Sequence, residues 1–248
     1  MTKAGAFSCA EELWKIRFKT QEVCVYFQFF AAVMDPYRET FDTWNQVAAL
    51  YQERFMEMNL YDHSYDVFCS LVSTQGAKIL EIGCGPGNIS RYLLHKRPDF
   101  RLFGADVAPN MIQLARNNCP QATFEVMDCR NISILNEQYH GIIGGFYLPY
   151  ITPDEAEKMM ADAARLLVTQ GVLYMSFVEG PPHASGYQTG SSGNRVYFNF
   201  HSLEHLLAVS EVAGFRLRRI FKVPYPKNNG EQEEHTILLT IKTHHSLI

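Results

Sequence analysis

Three glycines fall within five residues, at Gly83, Gly85 and Gly87, between the apolar run that ends at Ile82 and a helical pattern that begins at Asn88. Glycine admits positive φ and leaves the backbone open to a ligand. The helix that follows such a turn presents free N–H groups and the positive end of its dipole. In a doubly wound α/β sheet this junction lies at the carboxyl ends of the strands, where nucleotides bind. The spacing here is G-x-G-x-G, not the G-x-G-x-x-G of a dinucleotide fold. Glu81 stands two residues before the first glycine. A carboxylate in that strand disfavours a pyrophosphate and suits a cofactor that carries a cation and an amino group.

The elements that must position this loop follow in order. Trp44, Val47, Ala48, Tyr51, Phe55 and Met58 keep helical spacing and predict one amphipathic helix from Phe41. A second helix is expected over 62–72. Strands and helices then alternate: KILEIG, the helix NISRYLLHKR, RLFGADV, and the helix PNMIQLARNN with Pro109 in its first turn. ATFEVMD and GIIGGF read as two more strands. Thr152, Pro153 and Glu155 form a capping-box start, and Ala156, Met159, Met160, Ala163, Leu166 and Leu167 give that helix its buried face. GVLYMSFV is a buried strand. The helix over 202–213 closes at Gly214, and FRLRRIFKV and HTILLTIK pair as a final hairpin. Strands separated by helices predict a doubly wound α/β sheet of seven strands, mostly parallel with an antiparallel last strand.

On these residues the chain resembles the class I S-adenosylmethionine-dependent methyltransferases, with EIGCGPG as their first motif and a Rossmann-like sheet implied. The resemblance covers roughly Phe41 onward and implies S-adenosyl-L-methionine as cofactor. It implies that Gly83, Cys84, Gly85 and Gly87 lie against the methionine part and that Glu81 orients it. Asp106, 23 residues beyond Gly83, would accept both ribose hydroxyls. Asp128 would accept the adenine amino hydrogens, with the backbone of Cys129 beside it, and Val107 and Met111 would pack on the adenine faces. Tyr51 would cover the cofactor, and GGFYLPY, with Phe146, would be the loop beside the reactive methyl. Ala108 departs from the capping serine that usually follows the ribose acid.

The resemblance fixes no catalytic base. Tyr147 and Tyr150 flank the methyl loop and could wall a sulfonium or an acceptor. The long segment from Glu179 to His201 reads as a lid loop, 180–201, whose Arg195, Tyr197 and His201 would help close an acceptor pocket. Arg195 offers a planar fork for a carboxylate or phosphate. His235, which opens the last strand, is a further candidate, and His183 on the loop reads as a surface residue. The expected acceptor is a small molecule.

The totals set the remaining bounds. The chain has 248 residues, 47% apolar and 19% charged, with net charge −4. That suits one α/β domain and argues against bulk nucleic-acid or membrane electrostatics. The six cysteines show no zinc or redox spacing, so a reduced, cytoplasmic setting and no metal are expected. The apolar stretch 23–33 is too short to span a membrane and lacks the flanks of a signal peptide. Residues 1–40 are read as an N-terminal extension, either a helical cap over the sheet or an addition from an upstream start, and 41–248 as the methyltransferase domain. A monomer or homodimer is expected. Two rival readings are a cofactor-binding partner subunit without methyl transfer and a nicotinamide enzyme. The substantial lid segment opposes the first, and the glycine spacing opposes the second.

Overall fold

The computed structural model describes residues 36–190, 193–227 and 230–243. The chain divides into two units between Arg38 and Glu39, and the second of them, from Glu39 onward, holds the sheet. The expected extension, up to residue 35, lies outside the described residues. No described helix is long and apolar enough to cross a membrane.

Seven strands form one sheet. They are β1 (Lys78–Ile82), β2 (Arg101–Asp106), β3 (Thr123–Val126), β4 (Tyr139–Gly144), β5 (Leu167–Val178), β8 (Phe215–Pro226) and β9 (Gln232–Lys242). Their order is β3-β2-β1-β4-β5-β9-β8. The first five are parallel, and β9 runs antiparallel to both neighbours. The chain leaves β1 toward one edge and returns at β4, so the strand order reverses between them. Ligands of doubly wound sheets bind at that reversal.

Side chains alternate across the sheet with the strand period of two. Ile79, Ile143, Tyr174, Ile237 and Leu239 face α3 (Asp62–Leu71) and α4 (Asn88–Lys96), where Tyr65, Phe68 and Leu93 cover them. Leu80, Ile142, Leu173, Met175 and Leu238 face α6 (Pro153–Leu166) and α7 (Leu203–Val212), covered by Ala156, Met160, Ala163 and Leu206. Glu81 shares the parity of Ile79 and is carried into the first of these layers, fully buried. The capping box of α6 forms: Glu155 N–H donates to Thr152 Oγ1, and Thr152 N–H donates to Glu155 Oε2 at 2.8 Å.

Two sequence expectations need correction. The single helix from Phe41 is two helices, α1 (Pro36–Gln46) and α2 (Ala48–Phe55), broken at Val47. Trp44 and Tyr51 still meet edge to face across the break, their ring centroids 5.6 Å apart. The loop 180–201 contains a hairpin, β6 (Gly186–Thr189) paired with β7 (Arg195–Phe198). Its alternating RVYF edge was hidden among glycines and serines. The open edge of β7 is closed by two threonines one turn apart on α1. Thr43 Oγ1 donates to Arg195 O at 2.7 Å, and Tyr197 N–H donates to Thr40 Oγ1 at 2.9 Å. Asn199 N–H donates to Pro149 O at 2.7 Å and ties the end of the hairpin to the segment after β4.

Thr40→Val keeps the shape of this contact and deletes the acceptor. The orphaned Tyr197 N–H should cost about 1–3 kcal/mol. Amide exchange at Tyr197 is expected to quicken by about tenfold or more, since each tenfold is about 1.4 kcal/mol. Unchanged protection at Tyr197 would show that the hairpin holds without α1.

Candidate functional site

A cleft opens at the carboxyl ends of β1, β2 and β4. Gly83 and Gly85 form its floor with φ of +66° and +52°, conformations that side chains rarely adopt. Asp106, at the end of β2, organises this floor. Its Oδ2 accepts the Gly85 N–H at 2.9 Å, and its Oδ1 accepts the Ala108 N–H at 2.9 Å. The work of the absent capping serine at the start of α5 (Pro109–Asn118) falls to Asn45 on α1, whose Oδ1 accepts the Asn110 N–H at 2.8 Å, since the cap residue Ala108 has no side-chain bond to offer. Burial pushes the Asp106 carboxyl up, and the backbone N–H groups of Ala108, Gly85 and Val107 oppose it.

Of the residues expected at the cofactor, Tyr51, Gly83, Gly85, Asp106, Val107, Met111, Asp128, Cys129 and Phe146 line the cleft. Glu81, Cys84 and Gly87 sit beneath or beside the floor. Cys84 is buried, and Gly87 forms the left-handed cap of α4. Glu81 Oε2 accepts the Ser90 hydroxyl from α4, while Oε1 has no hydrogen-bond partner. Burial drives its pKa up to about 8; the Ser90 bond opposes this and the Asp106 charge adds to it.

Asp128 is held differently. Arg130 Nε lies 3.0 and 2.9 Å from its two oxygens, Arg130 Nη2 lies 2.6 Å from Oδ2, and the Arg130 N–H donates to Oδ1 at 3.0 Å. Burial would raise this carboxyl, but the Arg130 bonds and the charges of Arg130 and Lys158 outweigh it and hold it below the usual range.

Aromatic rings close the other side. Tyr147 and Tyr150, the expected walls, line the cleft together with Phe41 and Trp44. Trp44 packs edge to face on Tyr150 at 5.4 Å. Phe146 has φ of +56°, a strained state for a side-chain residue. Its N–H donates to the buried Ser176 hydroxyl at 2.7 Å, and its ring meets His235 at 4.6 Å and Tyr61 at 5.3 Å. The Tyr147 hydroxyl and Trp44 Nε1 are buried without hydrogen-bond partners.

Four acceptor candidates do not line this cleft. Both oxygens of Glu39 take the Arg195 fork, at 2.8 and 2.9 Å, and the guanidinium lies over the Tyr187 ring at 4.5 Å. The Tyr197 backbone is bonded to Thr40. His201 is buried and donates from Nε2 to Leu148 O at 2.7 Å. His235 lies behind Phe146: its Nδ1 accepts the Tyr61 hydroxyl at 2.7 Å, its Nε2 faces Glu233 at 3.2 Å, and its ring stacks on Tyr225. His183 is exposed.

Gly145 lines the cleft within the expected methyl loop, whereas Thr40, Phe41, Trp44, Arg130 and Ile151 line it without having been expected as site residues. Arg130 had a signal, since it stands two residues past an expected ligand. Thr40 had none; the boundary drawn at residue 40 placed it in the extension, yet it is 1% exposed and lines the cleft.

Residues 79–171 match the family described as a methyltransferase domain. A putative methyltransferase, 235L, of Invertebrate iridescent virus 6 is 29% identical over 105 residues, covering 40% of this chain and 39% of the viral protein. The carboxy-S-adenosyl-L-methionine synthase of Campylobacter hominis is 33% identical over 103 residues, covering 40% of this chain and 44% of that enzyme. The matches thus span less than half the length of these curated relatives. Among solved structures, the magnesium protoporphyrin IX methyltransferase of Synechocystis PCC 6803 with bound S-adenosylhomocysteine superposes with a TM-score of 0.63. It is 17% identical, and the alignment covers 84% of this chain and all of that one.

Proposed function

We propose that this chain, which matches a methyltransferase domain over residues 79–171, is a class I S-adenosylmethionine-dependent methyltransferase that transfers a methyl group from S-adenosylmethionine to a small-molecule acceptor. The observation that carries the reading is the floor of the cleft. A left-handed Gly83–Gly85 turn is pinned by Asp106 and backed by buried Glu81, at the strand-order reversal. A side chain at Gly85 would project into the space a ligand needs, and the rings of Tyr147 and Trp44 wall the same cleft.

Bound there, S-adenosylmethionine supplies an electrophilic methyl on a sulfonium. Asp106 holds the ribose hydroxyls and Asp128 the adenine amino group, while Val107 and Met111 pack on the base. Glu81 lies beneath the methionine end. The Phe146, Tyr147, Tyr150 and Trp44 wall excludes water and aligns the acceptor for in-line displacement, where most of the rate gain of such a transfer originates. The four described cysteines are unpaired thiols, which supports a reducing, cytoplasmic compartment.

Two measurements test this. Calorimetry should give one site for S-adenosylhomocysteine per chain. Incubation with S-adenosylmethionine and a desalted low-mass metabolite extract should then produce S-adenosylhomocysteine above the extract-free rate. Binding without turnover on any extract fraction would favour the partner-subunit reading. Failure to bind would remove both.

A further inference from the structure

We propose that Arg130 is a positioning residue that sets the purine specificity of the cleft: its fork fixes the Asp128 carboxylate as an edge that only accepts hydrogen bonds, admitting a 6-amino purine and refusing a 6-oxo one. This rests on the reading of Asp128 as the adenine ligand. An ionised carboxylate has about four acceptor positions. Arg130 engages both oxygens, with its backbone N–H on Oδ1, Nη2 on Oδ2 and Nε shared between the two. Whatever acceptor capacity the ionised carboxylate keeps can only receive a donor. A 6-amino group supplies that donor, whereas a 6-oxo group would set lone pairs against a carboxylate.

The arginine is itself held on its far side. Its Nη1 lies 3.5 Å from Glu155 Oε1, and Glu155 is fixed by the capping box of α6. Lys158 Nζ donates to the Arg130 carbonyl at 3.0 Å. The guanidinium also stands 5.5 Å from the Phe41 ring, so it forms part of the cleft wall. The Tyr147 hydroxyl is buried without a partner, with Cys129, Asp128, Glu155 and Arg130 as its electrostatic neighbours.

Removing Arg130 changes more than a contact. Burial alone raises Asp128, and Arg130 is the main opposing influence. Without it the carboxyl takes up a proton at a higher pH and gains an O–H that can donate to a 6-oxo group. Purine preference then becomes dependent on pH. Glu155 stands on the far side of Arg130, and the other groups that act on Asp128 itself are Lys158, the Cys129 thiol and the Tyr147 hydroxyl. Burial pushes the last two upward, away from the range where Asp128 would titrate.

The test is calorimetry of the full chain with S-adenosylhomocysteine and with S-inosylhomocysteine, between about pH 5 and 8. It compares wild type, Arg130→Met and Arg130→Lys, with thermal melting to confirm folding. Wild type is expected to prefer the adenosyl compound by about 30-fold or more, with little change across the range. Arg130→Met should bind it about tenfold more weakly, and its preference should collapse toward the acid end. Arg130→Lys keeps the charge but loses the fork, so it should lose about threefold in affinity while its preference stays flat with pH. Unchanged preference and pH profile in Arg130→Met would overturn the proposal. If that variant does not fold, wild-type affinity in Arg130→Lys overturns it instead. Failure of wild type to bind either compound would bring down the cofactor reading as well, a result distinct from both.

Discussion

Asp106→Ala is expected to lower affinity for S-adenosylhomocysteine by about 100-fold or more and to lower the melting temperature as well. The carboxylate does two jobs. In the folded chain its oxygens accept the Gly85 and Ala108 N–H groups, each at 2.9 Å. Alanine leaves both donors unsatisfied at a buried turn, which costs about 1–3 kcal/mol for each. One loss loosens the glycine turn, and the other frees the Ala108 N–H where the chain enters α5. In the proposed complex the same carboxylate also holds two ribose hydroxyls, so the ligand loses its contacts and the shape of its floor together. Asp106→Asn keeps one acceptor and the volume, and should fall between wild type and alanine in both measurements. Wild-type affinity in Asp106→Ala, measured by calorimetry, would sink the ribose assignment. A loss of stability without a loss of affinity would leave Asp106 as a structural brace only.

The difference between Asp106 and Arg195 shows what the sequence made legible. The glycine turn, Asp106 and Asp128 each end a strand and precede a helix, so local pattern alone places them on one edge of a parallel sheet. That is why the fold and the order of its elements could be read in advance. Arg195 has chemistry suited to an anion, but its partner Glu39 lies 156 residues earlier, and no local pattern couples them. Thr40 and Thr43 are invisible for the same reason. They act as a substitute strand for β7, which only the packing of α1 reveals. The break at Val47 escaped notice because the apolar spacing runs through it unbroken. Phe146 hid a second kind of information, a left-handed backbone at a residue whose type does not call for one. It is held by Ser176 from β5, a strand whose run of apolar residues gave that serine no apparent role.

Glu81→Gln is expected to change the pH dependence of the protein more than any other single substitution. Glu81 is fully buried, and one of its two oxygens lacks a partner. Burial lifts its pKa from 4.5 to about 8, partly opposed by Ser90 and reinforced by Asp106. Between those values the folded chain holds a proton on Glu81 that the unfolded chain has released. Stability therefore falls as pH rises through that window, by about 1.4 kcal/mol per unit. The contribution is complete below about pH 4.5 and is lost as pH passes about 8, a total on the order of 5 kcal/mol. Glutamine carries no titrating proton and should erase this slope, so the variant gains on wild type steadily from about pH 5 to 8 in the ligand-free state. Denaturant midpoints at a series of pH values would show it. Ligand binding should move in the opposite direction. A cationic ligand above Glu81 favours the carboxylate, so binding near neutral pH should release close to one proton from wild type and none from Glu81→Gln. Calorimetry in buffers of different ionisation enthalpy counts that proton. Equal proton release from both proteins would mean that Glu81 does not face the charge of the ligand, and the acid of the first motif would then be a structural partner of Ser90 alone.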